Sequence, residues 1–302
     1  MSGTDILLPR LERNQVEENK DEPHFSYSQM GMYNRCSQQY YYRYVLGVIQ
    51  PPNLKMNSGK AIHEALEYNA KHKMRTKKDM PVSDVLDTAA SAHDKFMDEV
   101  EDLDKKAAGK DKDESQAIVG LYRRQQAPTI TPIIAEYRFR IVLEGDEDST
   151  DYKPVIGYID SAAELPDPRQ GPTEGRPIVA LEDYKKVSQK KSQLEVDTSA
   201  QLTLYDYVYT LNSEGEQPDV VGLRQLGFNG PRAQEPGPFS LPAYRSEAFM
   251  TPEARTNRHK RVLNQLKSAQ RSIQEGNYRP VDDPRVCSWC GYRDICQVKP
   301  EE

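Results

Sequence analysis

The chain has 302 residues, of which 29% are charged, and its mean hydropathy is -0.83. Its 41 lysines and arginines stand against 47 aspartates and glutamates, which gives a formal net charge of -6. This balance excludes overall basicity, so any contact with a nucleic acid needs a local basic surface. No apolar run reaches the roughly 18 residues that span a membrane, and the N-terminal residues are too polar for a signal peptide. We therefore expect a cytoplasmic protein without membrane contact, built as one large domain or two small ones.

The N-terminal part of the chain predicts a flexible arm and then a helix. Residues 1–24 are polar and of mixed charge, and Ser26 or Ser28 can cap the helix that follows. Spacings of three and four place four residues on one face of this helix: Tyr33, Cys36, Tyr40 and Tyr44. Packing accounts for most of the aromatic residues here, and stacking on bases is an alternative for one or two of them.

A second helix begins near Gly59 and Lys60. The upstream glycine of a phosphate-binding loop is missing and Ala61 follows the lysine, which excludes a nucleotide-binding loop of that type. His63 follows on the same helix, where a structural role and a ligand role are both open. Residues 71–128 then look helical, with a charged hinge expected at 104–114. They form either a lid or a scaffold insert.

Two strands are predicted next, at 133–143 and 154–162, because apolar and polar residues alternate there and a turn-forming acidic stretch separates them. The second strand contains Gly157, and Asp160 follows it three positions later. Glu136 lies on the first strand, where contact with a site and exposure to solvent are equally open.

Residues 178–185 alternate in the manner of a third strand. Successive side chains of a strand point to opposite faces, so Asp183 and Lys185 share one face and Glu182 points to the other. A carboxylate beside an ammonium suits metal-assisted phosphoryl transfer. The alternative for an isolated pair of this kind is a surface salt bridge.

A helix is expected at 198–211, with Gln201 and Tyr205 four apart on one face. A strand at 219–229 and a loop rich in proline and glycine at 230–243 follow.

The next helix, at 252–275, begins with a threonine cap and Pro252. It carries six basic residues against few acids: Arg255, Arg258, Lys260, Arg261, Lys267 and Arg271. A surface that follows a nucleic-acid backbone and an ordinary solvated face are equally open for it.

The chain contains four cysteines, Cys36, Cys287, Cys290 and Cys296, and the last three lie within ten residues of one another. This spacing favours a metal site over scattered disulfides. Zinc commonly uses two close pairs, whereas this set has one distant cysteine, one close pair and a third late cysteine.

The order of these motifs resembles the PD-(D/E)XK nuclease superfamily, and within it the RecB-like branch that carries a 4Fe–4S cluster, as in the AddB nuclease domain and the CRISPR-adaptation exonucleases. The resemblance rests on a histidine, then Gly-x-x-Asp, Asp-x-Lys and Gln-x-x-x-Tyr, with the four cysteines around them. It covers residues 26–70 and 130–296. Ser37 stands where that branch usually has a proline after its first cysteine.

The resemblance implies an α/β fold with a restriction-endonuclease-like core, in which helices flank a central mixed sheet. Residues 25–302 would form a single nuclease domain with a helical insert at 71–128. An iron–sulfur staple would join the segment 285–298 to Cys36.

The resemblance also implies the site. The metal ligands for Mg²⁺ or Mn²⁺ would be His63, Asp160, Asp183 and the carbonyl of Tyr184. The catalytic set would be Asp160, Asp183, Lys185, Gln201 and Tyr205. The 4Fe–4S cluster would bind Cys36, Cys287, Cys290 and Cys296, with zinc as the alternative in the same thiolates.

The implied activity is that of a metal-dependent DNA exonuclease that prefers single strands or ends, in recombination, repair or CRISPR-type adaptation. The alternative is a DNA-end-binding or adaptor subunit with a minor or vestigial nuclease site. A third alternative is cleavage of RNA or of a structured flap. The sequence has no helicase motif, so a partner protein would supply any unwinding.

Overall fold

The structure is a computed structural model that describes residues 22–144, 151–167 and 176–297. Most of the predicted N-terminal arm lies outside these residues. The chain divides into two compact units. The first contains Pro52–Arg138 and Tyr158–Asn257, and the second contains Phe139–Gly157 with the described residues of 16–51 and 258–302. Within the described part of the chain, every helix is too short or too polar to cross a bilayer.

Among the described residues of the second unit, the first helices are α1 (Tyr27–Arg35) and α2 (Ser37–Tyr40). The Ser26 side chain accepts a hydrogen bond from the Gln29 N–H and so caps α1, as the sequence predicts. Cys36 separates the two helices with an extended backbone, φ -162°. A π-helical turn, Tyr41–Val45, follows α2.

Three long helices of the first unit pack on one another: α3 (Leu54–Thr76), α4 (Val82–Met97) and α5 (Lys105–Gln125). They confirm that residues 71–128 are mainly helical. The hinge predicted at 104–114 is wrong, because α5 begins there. The Lys106 and Ala107 N–H groups donate to the Asp104 carboxylate. This cap stabilises a first helical turn that the charged sequence does not predict.

Five strands form one sheet in the order β1–β2–β3–β4–β5. Their bounds are β1 Thr131–Ile141, β2 Val155–Leu165, β3 Ile178–Lys186, β4 Val220–Asn229 and β5 Gly237–Tyr244. β3 is antiparallel to β2 and parallel to β4, and β4 is antiparallel to β5. The mixed sheet flanked by helices confirms the predicted α/β class.

The parallel β3–β4 pair needs a crossover connection. Helices α6 (Gln193–Thr198) and α7 (Ala200–Asn212) supply it. After β5 come α8 (Pro252–Gln274), which confirms the helix predicted there, and the short α9 (Pro284–Cys287). The 230–243 segment was predicted as a loop, and this is wrong because β5 begins at Gly237. Its prolines are tolerated at the edge of a sheet.

A buried polar network fixes the face of β3 that Glu182 occupies. The Arg224 guanidinium donates to both Glu182 carboxylate oxygens, at 2.7 and 3.0 Å, and the Tyr244 hydroxyl donates to one of them at 2.6 Å. Glu182 and Arg224 are 3% and 2% exposed. The network joins β3, β4 and β5 on the face of β3 opposite to Asp183.

Candidate active site

The end of the β2–β3 ladder sets the position of the first carboxylate. The ladder runs from Leu165 opposite Ile178 to Ser161 opposite Glu182. One residue further along β2, the Asp160 side chain accepts the Tyr184 N–H through Oδ2 at 2.8 Å. The side chain therefore satisfies a backbone donor of β3, which holds a buried carboxylate between the two strands.

Asp183 and Lys185 share a face of β3, as the alternation predicts. Lys185 Nζ lies 3.1 Å from Asp183 Oδ1 and 3.0 Å from Oδ2, but only the contact with Oδ1 has hydrogen-bond geometry. Asp183 is 1% exposed, whereas the Lys185 side chain is 41% exposed. The pair is therefore a buried carboxylate beside an ammonium that reaches solvent, and not the surface salt bridge of the alternative.

Helix α7 brings two further polar groups to Asp183. Gln201 Nε2 donates to Asp183 Oδ1 at 2.9 Å and to the Tyr205 hydroxyl at 3.0 Å. The Tyr205 hydroxyl lies 3.4 Å from Asp160 Oδ1 and 3.5 Å from Asp183 Oδ1, so it donates to one carboxylate at a time. These contacts occupy Oδ1 and fix the orientation of the Asp183 carboxylate.

His63 reaches the same place from α3. Its Nε2 donates to the Tyr184 carbonyl at 2.7 Å, because a carbonyl oxygen can only accept. Its Nδ1 lies 3.6 Å from Asp160 Oδ2 and 3.6 Å from a Glu136 oxygen. The Tyr184 carbonyl keeps a second lone pair for another partner.

Glu136 belongs to this site although the sequence left its place open. Its φ is +50°, a left-handed backbone that is rare for a non-glycine residue in a strand. A conformation of this kind costs about 1–3 kcal/mol, and such outliers cluster at functional sites. It turns the Glu136 carboxylate toward His63. The sequence signal for Glu136 was only its place on the first predicted strand, which left site contact and solvent exposure equally open.

The donor set fits a hard divalent cation. His63, Glu136 and Asp160 each offer one ligand atom, and these atoms all lie within 4.8 Å of one another. Asp183 Oδ2 is buried and has no hydrogen-bond partner among the described residues. Carboxylate oxygens with one imidazole suit Mg²⁺ or Mn²⁺ better than softer metals.

The pKa values of Asp183 and His63 indicate an excess of negative charge at the site. Burial and the Asp160 charge together raise the pKa of Asp183 to about 7, although Lys185 and His63 lower it. Burial lowers the pKa of His63, but its hydrogen bond to Glu136 and the charges of Asp160, Glu136 and Asp183 raise it to about 9. The carboxylates thus compete for the few cationic groups at hand.

A model of the PD-(D/E)XK nuclease superfamily matches residues 24–297. The chain belongs to this superfamily. Membership indicates a metal-dependent nuclease that acts on DNA. No curated protein matches the sequence.

A second lysine, Lys186, lies beside the PD-(D/E)XK site but has a structural role. Lys186 lies next to the motif lysine but points away from it, and its ammonium donates to Asp111 and Ser58 at 2.6 Å each. His93 Nε2 lies 3.2 Å from the other oxygen of Asp111. Lys186 therefore holds the end of β3 against α3 and α5, and it is a structural neighbour of the site.

The four cysteines come together in the second unit, in a pocket that all of them line. Cys36 is buried and all four are free thiols. Cys287 Sγ donates to the Val281 carbonyl at 3.4 Å, and Gln39 Nε2 donates to Cys290 Sγ at 3.2 Å.

The spacing of these sulfurs bears on what they hold. Thiolates around one zinc ion lie about 3.8 Å apart, since a Zn–S bond is about 2.3 Å long. Among the described residues, only the acidic group at His63 brings three ligand atoms within 4.8 Å of one another, so no three of the sulfurs are that close. The four cysteines therefore share a pocket without forming a compact three-sulfur group.

The basic helix predicted at 252–275 divides into structural and exposed residues. Arg255 is 4% exposed and donates to Asp206 at 2.8 Å and to the Pro218 carbonyl at 2.6 Å. It therefore fixes the start of α8 and is not part of a binding surface. Lys260 and Arg261 are exposed.

Proposed function

We propose that the protein is a metal-dependent deoxyribonuclease that hydrolyses phosphodiester bonds as an exonuclease and prefers single-stranded DNA. The observation that carries the proposal is the buried oxygen Asp183 Oδ2, which lacks a hydrogen bond among the described residues and lies beside Lys185. A buried carboxylate oxygen without a hydrogen bond is costly, and a bound cation reduces that cost.

The ligands we propose for Mg²⁺ or Mn²⁺ are His63, Asp160, Asp183 and the Tyr184 carbonyl, with Glu136 added by its position. When bound, such an ion supplies charge neutralisation at the scissile phosphate and a water of lowered pKa. The residues of the chain do the rest. Gln201 and Tyr205 hold Asp183 Oδ1, which directs Oδ2 toward the ion.

Lys185 is the group we expect to touch the reacting atoms. Its ammonium is anchored by Asp183 and reaches solvent, so it can orient the attacking water and stabilise negative charge that develops on a phosphate oxygen. The Tyr205 hydroxyl can donate a hydrogen bond to either Asp160 or Asp183, so it can stabilise whichever carboxylate carries the negative charge.

The test measures digestion of end-labelled single-stranded DNA with Mg²⁺ or Mn²⁺ by the parent protein and by Asp183→Ala and Lys185→Ala. Both variants should lose activity by 10²-fold or more, in order of magnitude. Asp87→Ala and Lys110→Ala remove the same charges at exposed positions and should digest DNA at the parent rate. Equal digestion by all five proteins would refute the assignment, and binding without digestion by the parent would favour the end-binding adaptor.

We further propose that the protein belongs to the RecB-like branch and that Cys36, Cys287, Cys290 and Cys296 hold a 4Fe–4S cluster. The shared pocket of the four thiols supports this. A cluster there would close a loop of about 250 residues. Protein purified without oxygen should carry about four irons and absorb broadly near roughly 400 nm. Stoichiometric zinc in place of iron would overturn the cluster.

A biological pathway can be proposed from the proposed RecB-like branch. We propose a place in recombination, repair or CRISPR-type adaptation, with a helicase or another protein of that assembly as a partner. Copurification of such a partner, and loss of single-strand digestion in cells that lack it, would test this.

A further inference from the structure

The second unit exposes an unusual set of large apolar side chains. Trp289, the only tryptophan of the chain, is 90% exposed. Five other exposed residues of this unit are Tyr44, Val45, Leu46, Ile49 and Ile295. Single exposed apolar residues need no explanation, but a group from two adjoining segments marks a site of interaction.

Contacts within the unit hold these two segments side by side. The Tyr42 hydroxyl donates to the Ile295 carbonyl at 3.2 Å, and the Tyr292 hydroxyl donates to the Val48 carbonyl at 2.9 Å. The rings of Tyr42 and Tyr292 lie 5.5 Å apart. Residues 41–50 and 288–295 therefore present one surface, which we call the Trp289 surface.

The Trp289 surface has a fixed backbone. The π-helical turn Tyr41–Val45 leads to Gly47, whose φ of +70° lies in the left-handed region that favours glycine. Gly291 lies against the Gln50 side chain so closely that a Cβ there would approach it to 3.0 Å. A rigid surface loses little conformational entropy when it binds a partner.

The net charge of the second unit indicates which kind of partner the Trp289 surface can bind. The described residues of the second unit contain twelve lysines and arginines against seven aspartates and glutamates, a net charge of +5. The whole chain carries -6, so the remaining residues carry -11. Between residues 23 and 63 the sequence has no acidic residue and six of its 18 tyrosines. A unit of positive charge that exposes aromatic rings beside Arg43 and Arg293 fits single-stranded nucleic acid.

We propose that the Trp289 surface binds single-stranded DNA, with bases stacked on Trp289 and Tyr44 and with phosphates held by Arg43 and Arg293. The proposal rests on the proposed function in taking single-stranded DNA as the substrate. Arg293 is exposed, and the Arg43 guanidinium lies 5.6 Å from the centre of the Tyr44 ring, so charge and ring adjoin. Every base has a face that stacks, so this surface grips DNA without reading its sequence.

The sole tryptophan makes the proposal directly measurable. The Asp183→Asn variant is titrated with an oligothymidylate of about 15 nucleotides, a length within the site sizes of such surfaces. Tryptophan emission should fall to a plateau as DNA binds, and the midpoint should move to higher DNA concentration as salt is added. Anisotropy of a labelled oligothymidylate reports binding independently.

Variants separate stacking from general damage. Trp289→Ala and Tyr44→Ala should each weaken binding by about tenfold, as the loss of one stacked base requires. Trp289→Phe keeps an aromatic ring and should bind within a few-fold of the parent. Tyr68→Ala removes an aromatic residue that is 53% exposed in the first unit and should leave the affinity unchanged.

The outcomes keep this proposal apart from the nuclease proposal. A parent protein that digests no DNA while its tryptophan emission saturates on DNA would remove the nuclease and keep the Trp289 surface. Unchanged emission while anisotropy shows bound DNA would overturn the surface as a DNA site and leave it to a protein partner. Equal loss of affinity in Trp289→Phe and Trp289→Ala would also overturn it.

Discussion

Replacement of Glu182 by glutamine should destabilise the first unit strongly while leaving the chemical groups of the site in place. The substitution keeps the size of the side chain but removes the charge that the buried Arg224 guanidinium faces at 2.7 Å. Arg224 cannot lose its proton, so its positive charge stays buried without a counter-charge. The Tyr244 hydroxyl also loses a charged acceptor.

The size of the effect follows from the burial of both partners, whose side chains are each 3% exposed. Removal of one partner from a buried pair costs about 3–5 kcal/mol. For a chain of this size, 1 kcal/mol lowers the melting temperature by roughly 2 °C, so the transition should move down by roughly 6–10 °C. Denaturant unfolding followed by circular dichroism measures the same loss.

The matched control is Glu99→Gln, which removes the same charge from an exposed pair with Lys60. The two side chains are 50% and 43% exposed, and a pair of this kind contributes about 0–1 kcal/mol. A double variant, Glu182→Leu with Arg224→Met, should recover part of the loss because no buried charge remains. If Glu182→Gln unfolds within about 1 kcal/mol of the parent, as Glu99→Gln should, the pair is not buried as described.

Three further experiments test the site itself. Glu136→Gly should be more stable than Glu136→Ala by about 1 kcal/mol in thermal unfolding, because only glycine accepts the left-handed backbone freely; equal stability would contradict the strain. Without metal, the stability of the parent should fall from about pH 4 to about pH 7, because native Asp183, with its pKa raised to about 7, retains a proton that the unfolded chain releases near 3.8. Asp183→Asn should lack this fall, and a parallel pH profile would refute the shifted pKa. Lys185→Met should abolish digestion at temperatures where the variant is folded, whereas Lys186→Met should lower the melting temperature and retain digestion below it.

The placement of the motif residues on strands and helices was predictable because it depends on local periodicity. The alternation of 178–185 places Asp183 and Lys185 on one face of β3 and Glu182 on the other, and the structure has this arrangement. The spacing of Gln201 and Tyr205 places both on one face of α7, and both contact Asp183. Their chemical roles are for the digestion assay to decide.

Features that depend on distant parts of the chain were not predictable in this way. Glu136 enters the site through a left-handed backbone, and an alternating pattern gives no sign of such a residue. β5 contains Pro238 and Pro242, which argue against a strand until the pairing shows that β5 is an edge strand. In both cases tertiary structure overrides the local signal.

The prediction of a hinge at 104–114 was wrong for another reason. Its helix is polar over most of its surface and contains Gly109, so hydrophobic periodicity is weak there. Asp104 is a helix cap by residue type, and the sequence therefore held a signal that periodicity alone does not use.

The two faces of β3 show why this strand carries the site. On one face, Asp183 is buried beside Lys185, and burial together with the Asp160 charge raises the pKa of Asp183 although Lys185 lowers it. On the other face, Glu182 is satisfied by Arg224 and by the Tyr244 hydroxyl. A strand that buries a carboxylate with one oxygen lacking a hydrogen bond needs such support from its neighbours, because that oxygen otherwise lowers the stability of the unit. The reactive face therefore depends on the satisfied one, and a loss of Glu182 should be felt in stability before it is felt in chemistry.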